Sequence, residues 1–288
     1  MEAQAPEKKI GKFKASMIIT KESWNLLKKD KEMMLFPIIS SVVSFIAIGI
    51  VAIVFFLVSL GGDFENANPE SSSYNVELVY VFAMYFLTFF ITIFFQTGII
   101  AIVHGRLNNQ DLSFGDGMRK AFDKIGKIAL WSLVAATVGV ILKTISDRSK
   151  ILGKIVIAIL GAAWGILTFF IAPIIIIEDL SIKESLKKSA STIKSVWGET
   201  MIINIGVGFY FGMLFLAGIV IFIATLFTAN AIIIITSAIV LFVYLVVLCV
   251  ISSTLSVIFK VILYEYASSG KVPMGFSREV MDMAFKKK

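Results

Sequence analysis

A chain of 288 residues in which 58% of the side chains are apolar and only 16% charged lies far from the roughly 45–50% apolar and about 25% charged of soluble proteins. That balance excludes an ordinary soluble domain. The formal net charge of +7 fits a face turned to anionic lipid headgroups, where each base is worth about 1 kcal/mol, and no nucleic-acid partner is expected because no basic segment is interleaved with stacking aromatics.

Residues 1–35 form a basic N-terminal segment in which Phe13, Met17, Trp24 and Leu27 share one helical face and lysines cover much of the rest. Six charge-poor runs follow: Phe36 to Leu60, Val76 to Val103, Ile128 to Leu142, Ile151 to Ile177, Thr200 to Phe227 and Ala231 to Phe259. At 1.5 Å per residue most are long enough for a helix to cross about 30 Å of hydrocarbon. The third, roughly 22 Å if ideal, must borrow turns from Ala121 onward, with Lys124 and Lys127 snorkelling to the interface. No cleavable signal peptide is expected, because the first apolar run begins only after a long polar stretch.

The runs pair into three hairpins within a single membrane domain spanning 1–288. Hairpin 1 covers 36–103, an interfacial helix plus hairpin 2 covers 113–177, and an interfacial helix plus hairpin 3 covers 181–259. A basic segment, 260–288, closes the chain, with Phe276, Val280, Met283 and Ala284 as a short apolar stripe. The expected fold is an all-α integral membrane protein with six transmembrane helices, each hairpin preceded by an amphipathic interfacial helix.

An internal repeat supports this plan. Leu112-Ser113-Phe114-Gly115-Asp116-Gly117-Met118-Arg119-Lys120 aligns without a gap on Leu180-Ser181-Ile182-Lys183-Glu184-Ser185-Leu186-Lys187-Lys188. Both open with Ser-x-x-Asp/Glu, the spacing of a capping box, in which a serine oxygen and a carboxylate satisfy each other's backbone amides at a helix start. Both continue amphipathically. Phe114, Met118, Ala121, Phe122 and Ile125 mark one apolar face; Ile182, Leu186, Ser189, Ala190, Ile193 and Trp197 mark its counterpart. Tandem units of this kind are a construction familiar among transporters.

Orientation follows from the lysines and arginines, which are retained on the cytoplasmic side. Six spans with both termini inside leave only Lys143, Arg148, Lys150 and Lys154 of the 27 basic residues outside. The first outer loop then carries Asp63, Glu65 and Glu70 and no base. The expected location is a prokaryotic cytoplasmic membrane.

The stretch from Trp24-Asn25-Leu26-Leu27-Lys28-Lys29-Asp30-Lys31-Glu32 into Leu35-Phe36-Pro37, with Ala172-Pro173, Ile177-Glu178-Asp179-Leu180-Ser181 and Leu186-Lys187-Lys188-Ser189, resembles an uncharacterised family of prokaryotic six-span proteins. It is similar to the membrane domain that precedes the catalytic domain in some glycerophosphodiester phosphodiesterases, without that catalytic domain. The resemblance implies a membrane location and a helical fold, and it carries no active site to transfer.

Candidate site residues are few. A charge inside lipid is costly and marks function by default, yet the spans carry almost none away from their ends. Their interior polar residues, Thr88, Thr92, Gln96, Thr97, Asn204, Thr236, Ser252, Ser253 and Thr254, read first as interhelical hydrogen-bond partners. A sharper reading lines a polar path with Gln96 and Asn204. Gly161 with Gly165, and Gly208 with Gly212, have the four-residue spacing of close helix packing in lipid. Gly206 and Gly208 lie within an apolar run, so they make no dinucleotide fingerprint. Glu178 and Asp179 follow Pro173 where a span meets the inner interface. Glu265 holds the matching place after the last span, and the three could form an acidic cytoplasmic mouth. Against that stands a structural reading, with Asp179 and Glu184 complementing the next helix start and Glu178 paired to a lysine.

His104 is the lone histidine and Cys249 the lone cysteine, so no metal site, disulfide framework or cofactor is expected. These observations favour a non-enzymatic scaffold, accessory or lipid-binding protein. Its expected partners are anionic headgroups at the cytoplasmic face and a membrane-protein partner or a second copy of the chain. A transporter or channel for a small or amphipathic solute is the alternative. An enzyme acting on headgroups would need converging carboxylates, histidines or a metal.

Overall fold

The computed structural model describes the backbone of residues 12–60, 72–270 and 272, and the side chains of 18, 20–60, 75–194, 208, 210–270 and 272. The C-terminal stripe at Phe276 to Ala284, the acidic first outer loop and the side chains of Asn204 and Trp197 lie outside these residues. Among the described residues every regular element is helical. Five helices are long and apolar enough to cross a bilayer, Lys31–Leu60, Asn75–Leu107, Ile125–Asp147, Ile151–Ile177 and Ala231–Ser269, and a shorter apolar helix covers Tyr210–Leu226. The chain is an all-α, multi-pass integral membrane protein.

It divides into two compact units, one of residues 35–193 and one of 1–34 with 194–288. The first unit is built on α3 (Ser72–Leu107), against which α2 (Leu35–Leu60), α4 (Phe114–Asp123), α5 (Ile125–Asp147) and α7 (Ile171–Ile177) all pack, while α6 (Ile151–Leu167) packs on α5. Proline at the third position of α2 is harmless because the first turn has no helical acceptor for its missing N–H. The helix α3 ends in a Schellman turn. Asn109 takes the left-handed conformation (φ 60°), and the amides of Asn109 and Gln110 donate to the carbonyls of Arg106 (3.2 Å) and Gly105 (2.8 Å).

The core of this unit lies toward the polar end of α3. Ile99, Ile100, Ile102 and Val103 are buried there with Ala121 of α4, Ile128 and Trp131 of α5, and Phe170 to Ile175 around α7. Phe36, the second residue of α2, is fully buried. Its ring lies 4.5 Å from that of Phe114 and over Gly98 and Gly117, so the entrance to the first span is fastened to α3 and α4 together.

Three boundaries differ from the sequence expectation. The third span does not recruit Ala121. It runs from Ile125 to Asp147, 23 residues or about 34 Å, gaining more at its far end. There Lys143 and Asp147, one turn apart, form an ion pair at 2.6 Å that lets the helix carry its charges outward. The fourth span is interrupted. Pro173 has no N–H to give the carbonyl of Phe169 and crowds it, so the helix breaks at residues 168–170 between α6 and α7. The amide of Phe170 donates to Ser189 Oγ at 3.2 Å. Finally, the second interfacial helix and the fifth span are not separate. They form one helix, α8 (Ile182–Leu226), 45 residues long, whereas their counterparts break at Lys124 (φ −104°, ψ 8°). In the repeat alignment Gly126 meets Lys194; the glycine, a poor helix former, is missing where the helix continues.

In the second unit α1 (Lys12–Lys29) and a short 3₁₀ turn at Lys31–Met34 pack against α9 (Ala231–Ser269). Leu26, Leu27 and Met33 are buried here, as are Leu255, Val257 to Phe259 and Val261 to Tyr264 of α9. Toward their other ends, α8 and α9 are joined by polar contacts. The Tyr244 hydroxyl donates to the Leu214 carbonyl (2.8 Å), and the hydroxyls of Thr225 and Ser237 meet at 2.8 Å. The helix α9 is capped by Asn230, whose Oδ1 accepts from the amides of Ile232 (3.0 Å) and Ile233 (3.3 Å). It runs ten residues beyond the expected Phe259 and stops at Gly270, where φ is 67°.

Candidate functional site

The sequence repeat places two serines at helix starts, and both capping boxes form. At α4 the Ser113 amide donates to Asp116 Oδ2 (3.0 Å) and Ser113 Oγ accepts from the Asp116 amide (3.3 Å). At α8 the Ser181 amide donates to Glu184 Oε2 (3.1 Å) and Ser181 Oγ accepts from the Glu184 amide (3.4 Å). In each case the hydroxyl also donates to the carboxylate, at 2.7 Å and 2.6 Å. These bonds stabilise the ionised forms and hold both carboxyls below their usual range.

A lysine cluster lies beside the second box. Lys124 sits at the junction of α4 and α5, and Lys127 in the first turn of α5. Their ammonium groups converge on one oxygen, Asp179 Oδ1, at 2.7 Å and 2.6 Å. Lys127 donates to the Asp179 backbone carbonyl as well. The bonds from Lys124 and then Lys127 hold the Asp179 carboxyl at about 2, below its ordinary 3.8. Asp179 is in the left-handed region (φ 57°), which aspartate tolerates better than most residues. That turn carries the chain from α7 into α8. Glu178, its neighbour, is engaged by Lys188. Arg119 and Lys120 on α4, and Lys183 and Lys187 on α8, remain exposed around this network.

The other expected site residues are distributed as follows. Glu178 and Asp179 are adjacent and lysine-bound, as the structural reading of these acids anticipates for Glu178, while Glu265 lies on α9 in the other unit, its carbonyl accepting from Ser269 Oγ at 2.6 Å. Gln96 is half-buried on α3, next to the buried Thr97, whose hydroxyl is spent on the Ile93 carbonyl (2.8 Å). A Cβ on Gly161 would meet Leu142 at an ordinary 3.8 Å, and on Gly165, Gly208 or Gly212 it would meet no described atom within 4 Å. Close approach among described atoms occurs at other glycines. A Cβ on Gly117 would stand 3.0 Å from the Gly98 carbonyl oxygen, and one on Gly218 would stand 2.6 Å from the Tyr244 ring.

Among the described residues no group of three His, Cys, Asp or Glu side chains is placed to hold a metal ion. The groups gathered here are the ammonium groups of Lys124, Lys127 and Lys188 and the carboxylates of Glu178, Asp179 and Glu184. No curated protein matches the chain. Residues 75–275, from the second span to just beyond α9, match a family described only as a family of unknown function, DUF6159. With well over half of its length matched, the chain belongs to the DUF6159 family.

Proposed function

We propose that the protein is a non-enzymatic, lipid-binding or scaffolding component of a prokaryotic cytoplasmic membrane, with both termini inside. It gathers anionic headgroups, and beside them a membrane-protein partner or a second copy, on a basic inner face. One observation carries the reading. The acids beside the capped start of α8 are already bound by Lys124, Lys127 and Lys188, while Arg119, Lys120, Lys183 and Lys187 stay exposed, a surplus that suits lipid phosphates. The three-hairpin plan with inner interfacial helices accords with the two capping boxes. The likeness to the membrane domain of glycerophosphodiester phosphodiesterases rests on the short motifs alone.

Native mass spectrometry of protein gently extracted from its own membrane tests this reading. A defined stoichiometry of anionic lipid or of a protein partner is the expected result, and a bare chain that takes up no anionic lipid when supplied would overturn it. A second reading, transport of a small or amphipathic solute, draws on the break at residues 168–170, since interrupted spans recur at transporter sites. Solute flux into liposomes that falls on substitution of Gln96 or Asn204 would favour it.

A further inference from the structure

We infer that Lys124 and Lys127 form a binding site for a phosphate group at the membrane surface, and that the Asp179 carboxylate occupies this site as a built-in competitor until a phosphate displaces it. The inference rests on the lipid-binding reading and names its site.

Two ammonium groups share a single carboxylate oxygen, at 2.7 Å and 2.6 Å. The pair therefore keeps a surplus positive charge when Asp179 is in place. A phosphate diester would give each lysine an oxygen of its own while bringing the same single charge as Asp179, and a monoester would bring up to two charges. The neighbouring acids are committed elsewhere. Glu178 is held by Lys188, and Glu184, which also feels the Lys127 charge, has its carboxylate bonded in the Ser181 capping box.

Position and access agree with this role. Lys127 lies in the first turn of a spanning helix, the level at which headgroup phosphates sit. The Asp179 side chain is 59% exposed, so a competing anion reaches it from the aqueous side. Lys127 also grips the Asp179 carbonyl, so the turn between α7 and α8 stays tethered after the carboxylate swings away.

The experiment uses the full chain in neutral micelles and measures binding of phosphatidylglycerol, phosphatidylcholine and inorganic phosphate. Asp179→Asn, which removes the competing charge, is expected to tighten phosphatidylglycerol binding at least fivefold. The double variant Lys124→Gln/Lys127→Gln is expected to weaken it at least tenfold, and Lys124→Arg/Lys127→Arg to retain it, which separates loss of charge from misfolding. Inorganic phosphate in excess that competes with the lipid, and gains from Asp179→Asn equally, assigns the site to a free anion. Failure to compete assigns it to a headgroup, and both results support the lysine pair. Unchanged affinity in Asp179→Asn and in the glutamine pair overturns the site. If Arg119→Gln/Lys120→Gln then lowers binding, lipid binding survives without this site; if the wild-type chain shows no preference for phosphatidylglycerol, both fail.

Discussion

The ring of Phe36 occupies the space that a side chain on Gly98 would need. A Cβ on Gly98 would stand 2.7 Å from Phe36 Cδ1 and closer still to Cε1 and Cζ, and a Cβ on Gly117 would stand 2.9 Å from Cζ. Because Phe36 is fully buried, the ring has nowhere to retreat. Gly98→Ala is expected to destabilise by about 1–3 kcal/mol through overpacking, and Phe36→Ala by about 3–5 kcal/mol through the cavity it leaves. Thermal unfolding in micelles checks both. A Gly98→Ala/Phe36→Ala double variant should lose less than the sum of the two single changes, because the smaller side chain vacates the space that the new methyl enters.

Ser185 and Ser189 stand one turn apart on α8, both fully buried, and predict opposite outcomes. Ser189 Oγ accepts the Phe170 amide at the break before α7, so Ser189→Ala removes a buried hydrogen bond and should cost about 0.5–1.5 kcal/mol. Among the described residues Ser185 Oγ has no hydrogen-bond partner. Ser185→Ala removes a buried, unsatisfied hydroxyl and should leave stability unchanged or raised. Parallel melting curves decide whether the bond to Phe170 or the mere presence of a hydroxyl matters.

The two capping boxes should be worth similar amounts. Ser113→Ala and Ser181→Ala each remove an acceptor for a first-turn amide, and each should cost roughly 0.5–2 kcal/mol. Hydrogen exchange is the sharper measurement, since the loss is local. Faster exchange at Asp116 in the first variant and at Glu184 in the second is expected, with the other helix unaffected.

The Asp179 carboxyl titrates lower in the folded protein, at about 2, than its ordinary 3.8. A depressed folded value means that the contribution of its lysine bonds is complete above about pH 4 and is lost as the pH falls toward about 2. Over that interval the melting temperature of the wild-type protein should fall relative to Asp179→Asn, which has nothing to titrate there. Parallel pH dependence of the two would show that the lysine bonds contribute nothing to the fold.

How much of this could be read from the sequence depended on distance along the chain. The capping boxes at Ser113 and Ser181 follow from a three-residue spacing, and most span positions follow from runs of apolar residues; both are local signals and both reappear as helices. The close helix contacts are not local. Gly161, Gly165, Gly208 and Gly212 have the right spacing, but whether a glycine is crowded depends on what faces it, and Phe36 faces Gly98 from another helix across some sixty residues of chain. The break at 168–170 was half visible in Pro173, although the serine that completes it lies 19 residues away. The lysine pair was legible only as interfacial charge, since its convergence on Asp179 spans 52 residues.

The attachment of Phe36 also sets an order of events during synthesis. Its anchor is complete only when Gly117 and Phe114 have been made, and at about 5–20 residues per second the roughly eighty intervening residues take on the order of 4 to 16 seconds. Until then α2 has only lipid and, once it is made, α3 to pack against. Its sequence suits that wait: the most apolar stretch of the Lys31–Leu60 helix has none of its residues buried inside the protein, so much of that helix faces lipid, and the ring of Phe36 adds a late anchor at one end to the packing along α3, where Phe55 stacks on Tyr80.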